Sequence, residues 1–291
     1  MPELPEVETM CRGIAGVVGS RIVAAERPPC ERRRILLTPA IGTLAKRVAG
    51  RRIAAIGRRG KRVLVHLDDD QVIVIEPRMT GLVLVAAPPT VEHLRFRLGL
   101  AGGPHDELLF WDRRGLGTVR LWAKAAAERI LGDDRLGPDA LLITAEKLRE
   151  RLGSSRRAIK VALLDQRAVA GIGNLYAAEI LFVAGIDPRT RCDRLSRPQW
   201  SRLQAAIVEV LHDAILHEGS TLSDGTYRNA LNQDGGYQNL HRVYDRAGQV
   251  CPRCGQGVIR RIVQAQRSTF FCGVCQRRCG DHRFAAAVEI V

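Results

Sequence analysis

Long apolar runs are missing from this 291-residue chain. No stretch approaches the ~20 uncharged apolar residues of a membrane-spanning helix. The first ten residues, MPELPEVETM, hold two prolines and three glutamates where a secretory leader has basic residues and an apolar core. A cytoplasmic protein with no membrane attachment is expected. Internal repeats and heptads are also absent, which excludes solenoids and coiled coils. Lysine is scarce, with only Lys46, Lys61, Lys124, Lys147 and Lys160 beside 40 arginines. Acidic residues are in deficit, 31 against 45 basic, which leaves a net charge of +14 and a pI near 10.1. Such a field attracts polyanions, and a guanidinium grips phosphate with a planar two-pronged geometry that an ammonium lacks. Nucleic acid is therefore the expected partner. At ~100–200 residues per domain the chain should form two or three units.

Eight cysteines without a leader argue against a disulfide framework. Cys251, Cys254, Cys272 and Cys275 form C-x2-C, a 17-residue spacer and a second C-x2-C. Each pair can aim two sulfurs at one ion, and the spacer suits a hairpin that returns the second pair to the first. Four thiolates close a tetrahedral zinc shell with no open position, so one structural zinc is expected. Cys11, Cys30 and Cys192 read as incidental thiols, and Cys279 as a minor competing ligand.

The fold class reads as α+β. To about Trp122 the chain reads as short strands, among them Lys61 to Leu67, Val72 to Ile75, Leu82 to Val85, His93 to Leu98 and Thr118 to Trp122, divided by turn clusters. The exception is a helix over Glu6 to Val18, where Val7, Met10, Cys11 and Ile14 recur at helical spacing. A Gly-, Pro- and Asp-rich linker, Leu131 to Asp139, precedes a helical region. There Thr144 can cap Ala145 to Leu152, helices are expected over Ala158 to Leu164 and Leu175 to Val183, and Ser196 with Gln199 makes a capping box for a helix to His217. Gly171 and Gly173 permit a turn with exposed amides at the start of the helix opened by Asn174, a ready phosphate site. Residues 219–237 are polar and glycine-rich and read as a mobile loop. From Arg242 to Arg283 nine Arg and two Asp give a local excess of +7, so the four-cysteine unit should lie on nucleic acid.

Three separated motifs then agree. Pro2-Glu3-Leu4-Pro5-Glu6-Val7-Glu8, Ile172-Gly173-Asn174-Leu175-Tyr176-Ala177 and Gln266-Arg267-Ser268-Thr269-Phe270-Phe271-Cys272 resemble, in this order, the formamidopyrimidine-DNA glycosylase and endonuclease VIII family. The resemblance spans nearly the whole chain. It implies an N-terminal β-sandwich with an N-terminal helix (1–125), a helix-two-turns-helix domain (131–225), a loop or linker (226–242), a zinc-finger hairpin (243–284) and a tail (285–291). It also implies a monomer acting on double-stranded DNA with damaged bases or abasic sites.

Removal of Met1 would leave Pro2 with a secondary amine of basicity nearer an α-amino group than a lysine, so a useful fraction is neutral at physiological pH. Such an amine can attack a sugar anomeric carbon, displace a damaged base and leave an iminium that promotes strand elimination. By the resemblance Glu3 is catalytic and Glu6 supports it from the first helical turn. Lys61 contacts phosphate and assists elimination. Arg267 grips the phosphate beside the lesion and assists the second elimination, and Asn174 binds the same region. Met79, Arg114 and Leu116 fill the gap and read the opposite base, while His93, Arg156 and Lys160 contact DNA. Three positions depart from the pattern: Glu76 replaces a phosphate-seeking histidine, Leu116 a wedge phenylalanine and Gly115 a residue often basic. The 220–236 loop is also longer than usual. The implied activity is removal of oxidised, formamidopyrimidine-type purines with strand cleavage by β,δ-elimination. The alternatives are a non-enzymatic zinc-ribbon DNA-binding protein, or a homologue restricted to abasic sites or oxidised pyrimidines.

Overall fold

Alternation of apolar and polar residues in Arg62–Leu67 buries Val63, Val65 and Leu67 on one face, and the strands around it repeat that logic. A computed structural model describes residues 2–277; the expectations for Cys279 and the 285–291 tail lie outside them. In chain order the strands of the first region are β1 (Arg21–Glu26), β2 (Leu36–Thr38), β3 (Ile53–Arg59), β4 (Arg62–Leu67), β5 (Gln71–Glu76), β6 (Gly81–Leu84), β7 (Leu94–Ala101), β8 (Glu107–Asp112) and β9 (Thr118–Ala123). They form two sheets, ordered β1-β7-β8-β6 and β2-β9-β5-β4-β3, antiparallel except for the β2–β9 pair. Ile22, Val65, Ile73, Phe96 and Phe110 belong to the core that the two sheets share.

Helix α1 (Leu4–Gly13) is shorter than expected: it stops at Gly13, and Ala15–Val17 continues as a tighter 3-10 turn. Its placement matters more than its length. Val7 and Met10 enter the sandwich core, whereas Leu4 belongs to the core of the helical region, so α1 lies between the two. Two further helices, α2 (Ile41–Val48) and α3 (Lys124–Leu131), were not foreseen; each begins after an alanine that offers no capping side chain.

The helical region comprises α4 (Ala145–Leu152), α5 (Ile159–Leu163), α6 (Asn174–Val183) and α7 (Arg197–Leu216). Thr144 accepts the Lys147 amide at 3.2 Å, and Gln199 accepts the Ser196 amide at 2.9 Å, as the capping patterns require. Helix α6 is apolar on all sides and buries Leu175 through Phe182, which makes it the centre of this region. Strands β10 (Ile259–Gln264) and β11 (Arg267–Cys272) pair as a hairpin. The hairpin's unit is fastened to α6 by Glu179, a buried carboxylate that accepts the amides of Arg242, Val243 and Tyr244 at 2.8–2.9 Å.

Residues 219–237 are irregular, as expected, but packed. Tyr227 and Ala230 are buried in the sandwich core, the Thr221 hydroxyl donates to Tyr227 O at 2.8 Å, and Val85 N donates to Ala230 O at 3.1 Å. The polar side chains that suggested mobility are bonded within the segment and to its neighbours. No helix among the described residues is long and apolar enough to cross a membrane.

Candidate active site

The N-terminal segment reaches the helical region because glycines clear its path. A Cβ at Gly173 would lie 2.3 Å from the Glu3 carboxyl carbon, and one at Gly171, where φ is +112°, would lie 2.4 Å from Leu4. Pro2 is buried immediately before α1, and Glu3 Oε1 accepts the Leu175 amide at 3.1 Å. The Glu3 carboxylate therefore sits on the N-terminus of α6, where the helix dipole favours negative charge. Its second oxygen, Oε2, is buried without a hydrogen-bond partner among the described residues.

Glu6 is fully enclosed and ties three segments together. Its Oε1 accepts the Tyr176 hydroxyl at 2.6 Å and the Ser220 amide at 2.9 Å, while its Oε2 accepts the Glu3 amide at 2.8 Å. Burial, and then the neighbouring Glu3, push its pKa above the ordinary carboxylate value despite these donors.

Glu3, Glu6, Met79, Asn174 and Arg267 line one cavity of about 380 Å3, together with Ser220, Asp224, Tyr227 and Tyr244. Five expected site residues are thus brought together from the N-terminus, the β-sandwich, α6 and the hairpin. Arg267 stands at the hairpin turn, where Ala265 and Gln266 both take positive φ values of 47° and 60°. That left-handed pair matches the twist of a two-residue hairpin turn and presents the arginine to solvent. Asn174 connects this turn to the helices: its Oδ1 accepts Lys160 Nζ at 2.5 Å and its Nδ2 donates to Ser268 O at 3.0 Å. Lys160 is fully buried, and burial, followed by Arg267, lowers its pKa to about 8 against the opposing pull of Glu3.

Lys61 is half-buried in the β3–β4 turn. Burial lowers its pKa, Glu3 and Glu6 oppose that shift, and Arg267 adds to it, so its ammonium feels the same cluster of charges. The turn is held from the helical side: Asp139 receives Arg58 through both oxygens, at 2.6 and 3.0 Å, and the Gly60 amide at 3.3 Å.

The other expected contacts lie apart from this cavity. Arg114 is exposed and Leu116 half-buried on the loop between β8 and β9. His93 lies in a 3-10 turn rather than a strand, with its ring edge-on to Trp111 and Nε2 3.0 Å from Glu92. Arg156 is exposed ahead of α5. Glu76, the carboxylate in place of a histidine, is surrounded by Arg62, Arg78 and Arg120 at 3.1, 3.3 and 3.8 Å, which compensate its charge. Gly115 has φ +61°, and a Cβ there would lie 2.4 Å from Arg33 O, so this packing admits no side chain. Sequence reasoning passed over Tyr227, Tyr244 and Asp224 as wall residues. Tyr176 belongs to the Ile172–Ala177 motif, where a tyrosine amid apolar helix positions hints at a buried partner.

The four thiols Cys251, Cys254, Cys272 and Cys275 converge, all ligand atoms lying within 4.8 Å of one another. Sulfur separations of 3.7 Å for Cys251–Cys275 and 3.9 Å for Cys254–Cys272 match the roughly 3.8 Å edge of a tetrahedron with Zn–S bonds of about 2.3 Å. The residues fit zinc and leave no ligand position for water, so its role is structural. Gln276 braces the site, accepting the Cys272 amide at 2.9 Å and donating to Ile186 O at 3.0 Å.

Residues 1–119 match the formamidopyrimidine-DNA glycosylase N-terminal domain, residues 136–226 its H2TH domain, and residues 248–278 the zinc finger found in FPG and IleRS. The formamidopyrimidine-DNA glycosylases of Chloroflexus aurantiacus and Chloroflexus aggregans are 43% and 45% identical, over 95% of this chain and 98% of each relative. A solved complex of a Lactococcus lactis FPG mutant with DNA containing Fapy-dG superposes with a TM-score of 0.84 at 33% identity, covering 95% of this chain and 100% of that one. A complex of Lactococcus lactis Fpg with abasic-site DNA gives 0.83 at 32% identity, covering 94% and 99%. This chain belongs to the formamidopyrimidine-DNA glycosylase family.

Proposed function

We propose that the protein is a bifunctional base-excision-repair glycosylase and abasic-site lyase that uses the Pro2 amine as nucleophile on damaged duplex DNA. The observation that carries this reading is the convergence of Glu3, the residue that follows Pro2, with Asn174 and Arg267 on one cavity. The neutral amine attacks the sugar anomeric carbon as the damaged base departs, and Glu3, with its unpartnered oxygen, supplies a proton to the opening sugar ring. The resulting iminium acidifies the neighbouring sugar proton, and β- then δ-elimination cleaves the strand. Lys61 and Arg267 hold the flanking phosphates and assist elimination; Asn174 and Lys160 position Arg267 through Ser268. Glu6 holds the nucleophile's segment in place. Met79 and Leu116 fill the space left by the flipped base, Arg114 reads its former partner, and His93 and Arg156 contact the backbone further out. On this reading residues 1–125, 131–225 and 243–284 are the working domains of a monomer acting on DNA in the cytoplasm.

Borohydride trapping on abasic DNA tests the proposal. Protein with Met1 removed should form a covalent adduct through Pro2, and retention of Met1 or Pro2→Gly should block it. Full-rate trapping by protein that retains Met1 would overturn the assignment, and no trapping at all would favour a DNA-binding module without catalysis.

A further inference from the structure

The loop between β1 and β2 reads Arg27-Pro28-Pro29-Cys30-Glu31-Arg32-Arg33-Arg34 and carries none of the residues assigned above. It borders a second cavity, of about 140 Å3, whose walls include Arg27, Arg34 and Arg95 and no carboxylate. Arg95 is only 2% exposed. Its Nε donates to Asp112 O at 2.8 Å, its Nη2 to Arg113 O at 3.4 Å and its Nη1 to the Cys30 sulfur, so no carboxylate is among its bonded partners. Arg27 donates from Nη2 to Ile35 O at 3.3 Å, and its Nε is buried with no hydrogen-bond partner among the described residues. Arg34 is exposed and makes no hydrogen bond or ion pair among the described residues. Of the nearby acids, Asp112 turns its carboxylate to Thr80, Arg114 and Gly117, Glu92 is engaged by Arg32 at 3.4 Å and His93 at 3.0 Å, and Glu31 is exposed on the loop.

Three guanidiniums around one small cavity repel one another, and a buried cation without an anion is costly. A tetrahedral oxyanion relieves both, because each guanidinium can present paired N–H donors to it. Position decides which anion. The Arg33 carbonyl packs on Gly115, and Arg95 holds the carbonyls of Asp112 and Arg113, so the cavity shares its wall with the loop that carries Arg114 and Leu116. We infer that this cavity is a binding site for a backbone phosphate of the undamaged strand. The inference rests on the reading of Arg114 as the group facing the base opposite the lesion, since that strand then passes beside the β1–β2 loop.

Methylphosphonate scanning tests it. Single neutral linkages are placed along each strand of a lesion duplex, and binding is measured for the wild type and for the Arg27→Ala/Arg34→Ala protein. One position on the undamaged strand should weaken wild-type binding several-fold and have little effect in the double variant. The slope of log affinity against log salt should fall by about 0.9 in the variant, the loss of one phosphate contact. Equal effects of every linkage in both proteins, or an unchanged slope, would overturn the site. Coupling to a lesion-strand linkage would overturn the strand assignment. The reading of Arg114 fails separately, if Arg114→Ala leaves the dependence on the opposite base intact.

Discussion

The Tyr176 hydroxyl donates to Glu6 Oε1 at 2.6 Å, joining the first turn of α1 to the first turn of α6. Since Glu6 also receives the Glu3 amide, this bond fixes the segment that begins with Pro2 against the helix that presents Asn174. A donor to the carboxylate favours its ionised form, so Tyr176→Phe should push the Glu6 pKa, already raised by burial and Glu3, still higher. A carboxyl whose folded pKa is raised adds stability below its unfolded value and loses it as pH rises through the folded one. Tyr176→Phe should therefore destabilise by about 1–3 kcal/mol, more at pH 8 than at pH 5, and slow trapping on abasic DNA. Urea unfolding at the two pH values reads the difference; equal losses would mean that Glu6 is not the group affected.

Lys160 gives a second pH signature. Its pKa of about 8, depressed chiefly by burial, makes it lose its proton before an ordinary lysine does. Between about pH 8 and the ordinary lysine value the unfolded chain binds the extra proton, so folding stability from this group rises with pH and is lost as pH falls through 8. On the proposed reading Lys160 positions Arg267 through Asn174, so its loss of charge as pH rises through about 8 should weaken DNA binding while stability rises. Lys160→Met should abolish both opposed trends. Parallel trends, or their survival in the variant, would remove Lys160 as their source.

Much of this arrangement was readable before folding, and the unreadable part has a common cause. Alternating strands such as Arg62–Leu67, the Thr144 and Ser196 caps and the cysteine spacing are local patterns whose physics is contained in a few adjacent residues. Helices α2 and α3 carry no capping side chain, and their existence depends on the surfaces they cover. Residues 219–237 have the composition of a solvated loop because composition does not reveal that Tyr227 and Ala230 fill a core made by residues far earlier in the chain. Likewise, a lysine in Ile159–Leu163 looks like a solvated charge until α5 is packed beside Asn174.

Zinc removal should act locally. Structural zinc contributes about 10–16 kcal/mol in isolated fingers, and here β10–β11 carries Arg267 through the turn that Asn174 holds. Chelation should release one zinc per chain, abolish specific DNA binding and leave the melting of the helical region nearly unchanged, since the Leu203–Leu211 face of α7 packs in a core separate from that of the thiols. Metal analysis finding no zinc in active protein would refute this.

The loop between β8 and β9 should set specificity, and a single buried carboxylate organises it. Asp112 Oδ2 accepts the Gly117 amide at 2.7 Å, while Oδ1 accepts the Thr80 hydroxyl and, at 3.2 Å, the Arg114 amide. Thr80 follows Met79, so the two candidate gap-filling loops share one anchor. Arg113 also donates to the Thr226 hydroxyl at 2.9 Å, which connects this loop to the segment whose Asp224 and Tyr227 line the main cavity. Flipping a base costs a few kcal/mol and depends on what replaces it, whereas an abasic site has no base to expel. Asp112→Asn replaces half of an acceptor pair with a donor and should slow excision of ring-opened purines by about tenfold, equivalent to ~1.4 kcal/mol, while abasic-site cleavage changes far less. Leu116 offers less stacking area than an aromatic wedge, so Leu116→Phe should speed removal of 8-oxoguanine, and Arg114→Ala should flatten a preference for cytosine opposite the lesion. Single-turnover rates on each lesion opposite all four bases decide the matter. Equal slowing of base-bearing and abasic substrates in Asp112→Asn would show that this carboxylate supports the fold rather than the insertion loops.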